Sequence, residues 1–352
     1  MARPGTKIMV EIIRNTITTP DAWVGPDIQG DDRWLHHGSA MQISMRSTPA
    51  LQAAKAAGSE IPFSADAFPI PTFQARLDEL MGRVSNGLGV ILIRGIPRDR
   101  YTDEECGLIY WGLGAHIGSP VSQNGRGHLL GHVTDEGKTL ADPNARGYQT
   151  KNRLDFHCDQ LPVDVLGLFC LRGAKSGGTS YLVSAPAVHN VMLAERPDLL
   201  DVLYQPFHVD WRGDHPDGGQ PWYDIPMLTA HDGRIAARVT NRSFMESVSR
   251  YSDDLALTEA QREALDVFQE ISNREELRLM MDFQPGDMQF VNNHTILHAR
   301  QAYEDYDDPA LKRHLLRVWI GLPEGKRRPL SPVLDERYRL VATGGIPKQA
   351  AA

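Results

Sequence analysis

The most informative stretch of the chain reads GDMQFVNNHTILHAR and runs from Gly286 to Arg300. It begins with a short strand-forming run and contains two histidines, His294 and His298, just past the predicted strand. A histidine at a strand end can bind a metal ion, or it can be satisfied by a backbone carbonyl or a carboxylate. The stretch therefore predicts a strand with a candidate site at its end.

Short strand-like runs recur on both sides of this stretch. They are bounded by Gly and Pro and rich in β-branched and aliphatic residues, which is typical of strands. The runs are GVILIRG (89–95), VLGLFCL (165–171), TSYLVSA (179–185), ELRLMMDF (276–283) and HLLRVWIG (314–321). A Gly-Gly turn between the second and third runs predicts a hairpin. Together the runs predict a mainly β fold, a jelly-roll or cupin-like barrel.

Helices are predicted before and between these strands. Apolar residues at helical spacing follow Phe73 and end near Gly87, and Thr102 with Glu105 forms a capping box for a second helix. Further helices are predicted after Pro186, after Pro197 and from Thr258. Two stretches rich in Gly, Pro, Asn and Asp, residues 118–150 and 205–226, are predicted to be long loops beside a site. The barrel is thus expected to carry flanking helices.

The composition limits the function classes. The chain has 352 residues, 37 basic and 45 acidic, which gives a net charge of −8, and no cluster of Lys or Arg marks a nucleic-acid surface. No apolar run is long enough to cross a membrane, and three scattered cysteines do not make a disulfide framework. We therefore expect a cytoplasmic protein, a monomer or a homo-oligomer, with a small-molecule partner and without nucleic-acid or membrane partners.

The predicted organisation has three parts. Residues 1–60 are polar and show no clear period, so we expect an N-terminal extension packed on the core. Residues 61–323 hold the predicted strands and helices and make up the main domain. Residues 324–352 are rich in Pro, Arg and Ala and are expected to form a tail on the surface.

Three copies of the pattern His-x-Asp occur in the chain. In an extended segment, side chains at i and i+2 point the same way, so such a pair can converge on one metal ion. His157 and Asp159, in RLDFHCD, precede two predicted core strands. His208-Val-Asp210 and His215-Pro-Asp217 lie in or beside a loop-rich stretch, where a surface histidine next to an aspartate is the ordinary expectation. Context therefore favours His157 and Asp159.

A third metal ligand and an anion site are predicted from the C-terminal strands. His294 and His298 are both candidates for the third ligand, which would complete the two-histidine, one-carboxylate set of non-haem Fe(II) enzymes. Arg313 and Arg317 share a face of the strand 314–321. An arginine inside a barrel needs an anion, and its planar fork suits a carboxylate. We therefore expect a metal site beside a binding site for one or two anionic groups.

These motifs, in this order, resemble the taurine dioxygenase-like family of Fe(II)/2-oxoglutarate-dependent oxygenases, which includes clavaminate synthase-like enzymes. The resemblance rests on RLDFHCD, GLFCLRGAKSGGTSYLVSA, GDMQFVNNHTILHAR and RHLLRVWI and covers residues 69–323. It implies a double-stranded β-helix, Fe(II) bound by His157, Asp159 and His298, and O₂ as oxidant. It also implies that Arg313 binds the distal carboxylate of 2-oxoglutarate and that Arg317 meets an anionic group of the substrate.

The same resemblance implies the reaction, hydroxylation of a small anionic or zwitterionic molecule with release of succinate and CO₂. In taurine dioxygenase a threonine after the Gly-Gly turn helps to hold 2-oxoglutarate, and the matching position here is expected at Val183, beside Ser184. Further residues offered for the substrate are Arg146, Tyr148, Trp211, Arg212, Trp222 and Tyr223. Two alternatives stay open, a cupin-like metalloenzyme that does not use 2-oxoglutarate and a non-catalytic barrel that binds small anions.

Overall fold

The fold is described from a computed structural model. The structure describes residues 11–37, 49–58, 60–139, 142, 145–215 and 218–349. Its strands, in chain order, are β1 Leu35–His37, β2 Val90–Arg94, β3 Ser119–Pro120, β4 Leu130–Val133, β5 Leu154–His157, β6 Val165–Arg172, β7 Ser176–Gly177, β8 Ser180–Ser184, β9 Pro206–Asp210, β10 Trp222–Pro226, β11 Leu228–His231, β12 Arg234–Ala237, β13 Leu279–Met281, β14 Met288–Asn292, β15 Ile296–Arg300, β16 Tyr303–Glu304 and β17 His314–Gly321.

The helices lie between and around these strands. They are α1 Gly25–Ile28, α2 Pro49–Ala56, α3 Gln74–Asn86, α4 Asp103–Ile117, α5 Ala185–Glu195, α6 Pro197–Leu203, α7 Arg242–Glu246, α8 Glu259–Ser272 and α9 Pro332–Ala342. Helices α4 and α8 begin with the predicted capping boxes, Thr102 with Glu105 and Thr258 with Gln261. Among the described residues, no helix is both long and apolar enough to cross a membrane.

Two sheets form the centre of the molecule. The larger has seven strands in the order β1-β2-β14-β6-β17-β3, with β4 also paired to β17, and the smaller has the order β13-β8-β15-β5. Apolar side chains of both sheets, such as Leu166 of β6 and Leu297 of β15, belong to one buried core. A second core lies between the larger sheet and helices α3 and α4. The predicted fold, a mainly β double-stranded β-helix with flanking helices, is confirmed.

The order of strands in the smaller sheet positions the candidate site. Strand β15 lies between β8 and β5, and His298 is directly opposite His157 across the β5–β15 pair. Two segments that are 141 residues apart in sequence thereby place their histidines side by side. Pairing of remote strands is how a barrel brings together residues that local sequence patterns cannot connect.

Two local predictions were wrong. Strands β6 and β8 do not form a hairpin, because they belong to different sheets and the short β7 between them pairs with β16. Residues 205–226 are not one long loop, because β9 and β10 pair antiparallel. In β9 the alternation of buried Phe207 and Val209 with more exposed neighbours is the strand signal, which the surrounding Pro and Gly residues obscured.

The prediction of a surface tail was also wrong. Helix α9 buries Leu334 and Val341 in the main core, and Ile346 beyond it is buried as well. The backbone N–H of Ile346 donates to Ser122 O at 3.1 Å, so the segment that follows α9 is bonded to the loop after β3. The apolar positions of this segment were too few, beside its Pro and Arg residues, to predict a packed helix.

Candidate metal centre

Three side chains that the sequence singled out meet at one point. His157 ends β5, Asp159 follows two residues later, and His298 lies in the middle of β15. One possible ligand atom from each of them lies within 4.8 Å of the other two. The ring centroids of the two histidines are 4.2 Å apart. Two imidazoles and one carboxylate thus face a common position, the donor set of a non-haem iron site.

Hydrogen bonds to neighbouring groups determine which ligand atoms stay free. Nδ1 of His157 lies 2.7 Å from the backbone carbonyl of Asp155, so it donates there and Nε2 is left for a ligand. Trp319 Nε1 donates to Oδ2 of Asp159, and Arg317 Nη1 lies 3.3 Å from the same oxygen. Asp159 Oδ1 is therefore left free, 3.7 Å from His298 Nε2.

The protonation states also suit a metal ion. Burial, together with nearby His157, lowers the pKa of His298 to about 3, and burial lowers the pKa of His157 as well. Burial alone would raise the pKa of Asp159, but Arg317 and the two histidines outweigh it and the pKa is lowered. Neutral imidazoles and an ionised carboxylate are the forms that bind metals. The three side chains therefore fit Fe(II).

The other candidate histidines lie elsewhere. His294 is buried, and its Nε2 lies 3.2 Å from Oδ1 of Asp164. His208 contacts Asp224 at 2.6 Å on the β9–β10 pair, while Asp210 accepts from the backbone N–H of Arg212. The third pair cannot be compared, since Asp217 lies outside the described residues. Neither His294 nor His208 shares the cluster formed by His157, Asp159 and His298.

The cluster opens into a cavity of about 120 Å³. Its wall contains four arginines, which are Arg146, Arg300, Arg313 and Arg317. Asp159 is the single carboxylate among the described residues that line it. Leu168, Leu182 and Leu315 supply apolar surface beside them. The charge of the cavity lining therefore favours a small molecule with negative charge.

The arginines that line this cavity differ in their partners. Arg317 donates from Nε to Gln123 Oε1 at 2.7 Å, besides its contact with Asp159, and Arg146 pairs with Asp214. Arg313 is 5% exposed and its Nη1 is buried without a hydrogen-bond partner. The guanidinium of Arg313 is therefore available to an anion, whereas that of Arg317 is partly occupied by the metal-site carboxylate.

The residues offered for substrate binding divide into two groups. Arg146 and Tyr148 line the central cavity, and Arg212 lines an adjoining outer cavity that also contains Arg126 and Lys138. Trp211, Trp222 and Tyr223 line neither of these two cavities. The ring centroids of Trp211 and Tyr223 are 4.7 Å apart, with the rings tilted by 55°, beside Arg337 of α9, and Trp222 stacks on Tyr251.

The position expected to match the threonine of taurine dioxygenase offers no hydroxyl to the cavity. Val183 is buried in the core, and Ser184 caps helix α5 by accepting from the N–H of Ala187. Ser180, three residues earlier, lines the cavity and lies opposite Arg300. Sequence reasoning also missed Arg300 and Trp319, although each lies two residues from a chosen residue, His298 and Arg317, on the same face of its strand.

Comparison with known proteins agrees with this geometry. Residues 51–319 match the model of a family described as "Taurine catabolism dioxygenase TauD, TfdA family". FR-33289 synthase from Streptomyces rubellomurinus is 31% identical over 330 residues, which cover 92% of this chain and 95% of that protein. The taurine hydroxylase-like protein SAT17 from Stachybotrys chartarum is 29% identical, with 84% of this chain and 77% of that protein covered.

Solved structures show the same fold. Asparagine oxygenase in complex with Fe(II), a hydroxyasparagine and succinate superposes with a TM-score of 0.60 at 16% identity, covering 90% of this chain and all of that one. The non-haem iron oxygenase OrfP with Fe and α-ketoglutaric acid gives a TM-score of 0.54 at 18% identity, covering 82% and 94%. The chain belongs to the TauD/TfdA family and is an Fe(II)- and 2-oxoglutarate-dependent dioxygenase.

Proposed function

We propose that His157, Asp159 and His298 bind the catalytic Fe(II) and that the enzyme hydroxylates a small anionic or zwitterionic molecule. The observation that carries the proposal is the position of the three convergent ligand atoms at the wall of a cavity with four arginines. When bound, ferrous iron activates O₂ at the expense of 2-oxoglutarate, which leaves as succinate and CO₂, and so supplies the oxidant for a C–H bond.

In this proposal the protein fixes and tunes the ligand atoms. The carbonyl of Asp155 orients the His157 ring, and Trp319 with Arg317 holds Oδ2 of Asp159, so that Oδ1 turns to the metal. Such supporting contacts to metal ligands typically change metal affinity by about 10- to 100-fold when they are removed.

Arg313 binds the distal carboxylate of 2-oxoglutarate in this proposal. Its side chain is buried, and Nη1 has no partner inside the protein. A buried guanidinium without an anion is unfavourable, and a carboxylate supplies both the charge and the fork-shaped acceptor that it needs. In the proposal the hydroxyl of Ser180, which lines the same cavity, assists it.

The substrate side of the cavity is assigned to Arg317 and Arg146. Both border the outer cavity, whose wall also carries Arg126, Lys138 and Arg212. Among the described residues, these five cations outnumber the two carboxylates of the wall, Glu136 and Asp214, so the cavity attracts an anionic molecule. One relative, 26% identical over 49% of this chain and 62% of that protein, is a uridine-5′-phosphate dioxygenase from Amycolatopsis sp., and its named compound carries a phosphate. We extend the proposal to a reducing compartment, the cytoplasm, since all three cysteines are buried and unpaired.

The test is release of succinate from 2-oxoglutarate by the Fe(II)-loaded enzyme, measured against amino acids, carboxylates, sulfonates, phosphonates and phosphate monoesters. We expect an anionic or zwitterionic compound to stimulate succinate release and to gain one oxygen atom. Arg317→Gln should raise the KM for that compound more than the KM for 2-oxoglutarate. Stimulation by neutral apolar compounds alone would contradict the proposed substrate class.

A further inference from the structure

Arg300 is a buried arginine whose function is not explained by the metal centre. It follows His298 by two residues on β15, so both side chains point to the inside of the barrel, and it lies directly opposite Ser180 of β8. Its side chain lines the same cavity as Arg313, and the residue is 5% exposed. A second buried cation thus stands beside the expected cosubstrate.

The hydrogen bonds of Arg300 use only part of its donor capacity. Nη2 donates to the carbonyl of Thr150 at 2.9 Å and to that of Asn152. Nε and Nη1 are buried and have no partner, and the same is true of Nη1 of Arg313. Two guanidinium groups in one cavity therefore share at least three unused N–H-bearing nitrogens, an unusual number for buried polar atoms.

The two positive charges have little compensation within the protein. Both guanidinium carbons lie over the ring of Tyr303, at 4.7 Å for Arg300 and 5.2 Å for Arg313. Asp305 accepts the backbone N–H of Arg313 at 2.8 Å, and no ion pair joins either guanidinium to a carboxylate among the described residues. Burial raises the pKa of Tyr303, so its phenol is neutral and does not supply the missing charge.

We propose that Arg300 and Arg313 together bind the distal carboxylate of 2-oxoglutarate. This inference rests on the proposed function of the cavity. One carboxylate, with two oxygens, can accept from Arg313 and from the free Nε and Nη1 of Arg300, and it places a negative charge between two uncompensated cations. The same guanidinium bonds the carbonyls at 150 and 152, so Arg300 links the cosubstrate to the segment that carries Tyr148 into the cavity.

The inference predicts strong selection for a dicarboxylate cosubstrate. 2-Oxovalerate has the same five-carbon chain as 2-oxoglutarate and lacks the distal carboxylate, so it is a matched probe. Dissociation constants for both acids can be measured by anaerobic titration of the Fe(II)-loaded protein, from the visible metal-to-ligand charge-transfer band and by calorimetry. These readouts do not require turnover or a known substrate.

Arg300→Gln is expected to weaken 2-oxoglutarate binding by about 10- to 100-fold, the size of a lost charge-assisted hydrogen bond, and to change 2-oxovalerate binding less than about 2-fold. Arg313→Gln should show the same selective loss. Arg76→Gln is the matched control, because Arg76 is an exposed arginine of α3 paired with Glu79. It should leave both constants unchanged. Arg300→Lys, which keeps the charge and loses the fork, should give an intermediate loss and serves if the glutamine variant does not fold.

Two outcomes would overturn the inference. An equal loss for both acids would show that Arg300 only holds the segment at 150–152, and an unchanged constant for 2-oxoglutarate would show that Arg313 binds the carboxylate alone. Failure of the proposed function gives a different result, since wild-type protein that binds Fe(II) would then form no charge-transfer band with 2-oxoglutarate.

Discussion

The metal centre and the cluster around Asp164 are built from the same residue types and have opposite roles. Each joins a buried aspartate to a histidine from the segment 292–300. In the second cluster Oδ1 of Asp164 meets His294, and Oδ2 accepts from the hydroxyl of Tyr338 at 2.5 Å and the N–H of Leu322 at 2.7 Å. Both oxygens are thus used within the protein.

In the metal centre the protein uses one carboxylate oxygen and leaves the other free. Trp319 and Arg317 hold Oδ2 of Asp159, while Oδ1 and the imidazoles face a cavity. Helix α9 closes the Asp164 cluster through Tyr338, and nothing in the described residues closes the metal centre in that way. Donor and acceptor atoms that face a cavity without a partner, rather than the presence of His and Asp, therefore distinguish a ligand site from a structural cluster.

The largest difference should appear when one histidine of each cluster is replaced. His298→Ala removes a metal ligand, so we expect loss of Fe(II) binding and of turnover to background, with little change in the unfolding midpoint of the metal-free protein. His157→Ala should behave in the same way. His294→Gln should keep Fe(II) binding and lower the free energy of unfolding by about 1–3 kcal/mol. Iron content and urea unfolding measure both, and iron retained by His298→Ala would contradict the assignment.

The next effect tests the unpaired arginine of the cavity. Arg313→Ala removes the partner of the distal carboxylate, so the KM for 2-oxoglutarate should rise on the order of 100-fold, with a smaller change in iron affinity. Steady-state succinate release at varied 2-oxoglutarate measures the change. An unaltered KM would assign the carboxylate to another arginine of the cavity, Arg300 or Arg317.

A smaller effect is expected from the indole that holds Asp159. Trp319→Phe keeps an aromatic ring and removes the N–H that donates to Oδ2, so Fe(II) affinity should fall about 10-fold. Trp111→Phe is the matched control, because the indole of Trp111 donates to the carbonyl of Phe63, away from the cavity. Competition with a chromogenic chelator measures both. Equal affinities in the two variants would mean that Trp319 does not tune the metal ligand.

The smallest effect concerns pH and the structural cluster. Burial lowers the pKa of His294 to about 4, below the ordinary 6.5, so the unfolded chain binds more protons between these values. The contribution of His294 to the free energy of unfolding is therefore present in full above pH 6.5. It decreases as the pH falls toward 4, by on the order of 1 kcal/mol per pH unit. Urea unfolding of metal-free protein at pH 7 and pH 5 should show a smaller loss in His294→Gln than in wild type. An identical loss would exclude His294 as a contributor.

Local patterns in the sequence predicted much of this molecule. The capping boxes of α4 and α8 and the strand β17 follow from spacing alone, because each depends on residues a few positions apart. The pair His157 and Asp159 needed its context as well, since the chain contains three copies of His-x-Asp. Spacing alone does not favour His298 over His294, since both histidines follow β14 closely. The choice depends on which histidine meets β5 across the sheet, and strand register is not encoded locally.

The missed residues have the same explanation. Ser180 meets Arg300 through the register of β8 with β15, which the sequence around the Gly-Gly turn does not show. Arg300 and Trp319 were detectable, because side chains two apart on a strand share a face with His298 and Arg317. The packing of α9 on the core depends on contacts with remote segments, which composition does not report.

The most direct measurement is an anaerobic titration of wild type, His294→Gln and His298→Ala with 2-oxoglutarate, each protein supplied with one equivalent of Fe(II) and followed by the visible charge-transfer band. We expect a band that saturates at one equivalent of 2-oxoglutarate in wild type and in His294→Gln, and no band in His298→Ala. A band of full intensity in His298→Ala, or no band in wild-type protein that holds iron, would contradict the assignment of the metal centre and of its 2-oxoglutarate-binding site.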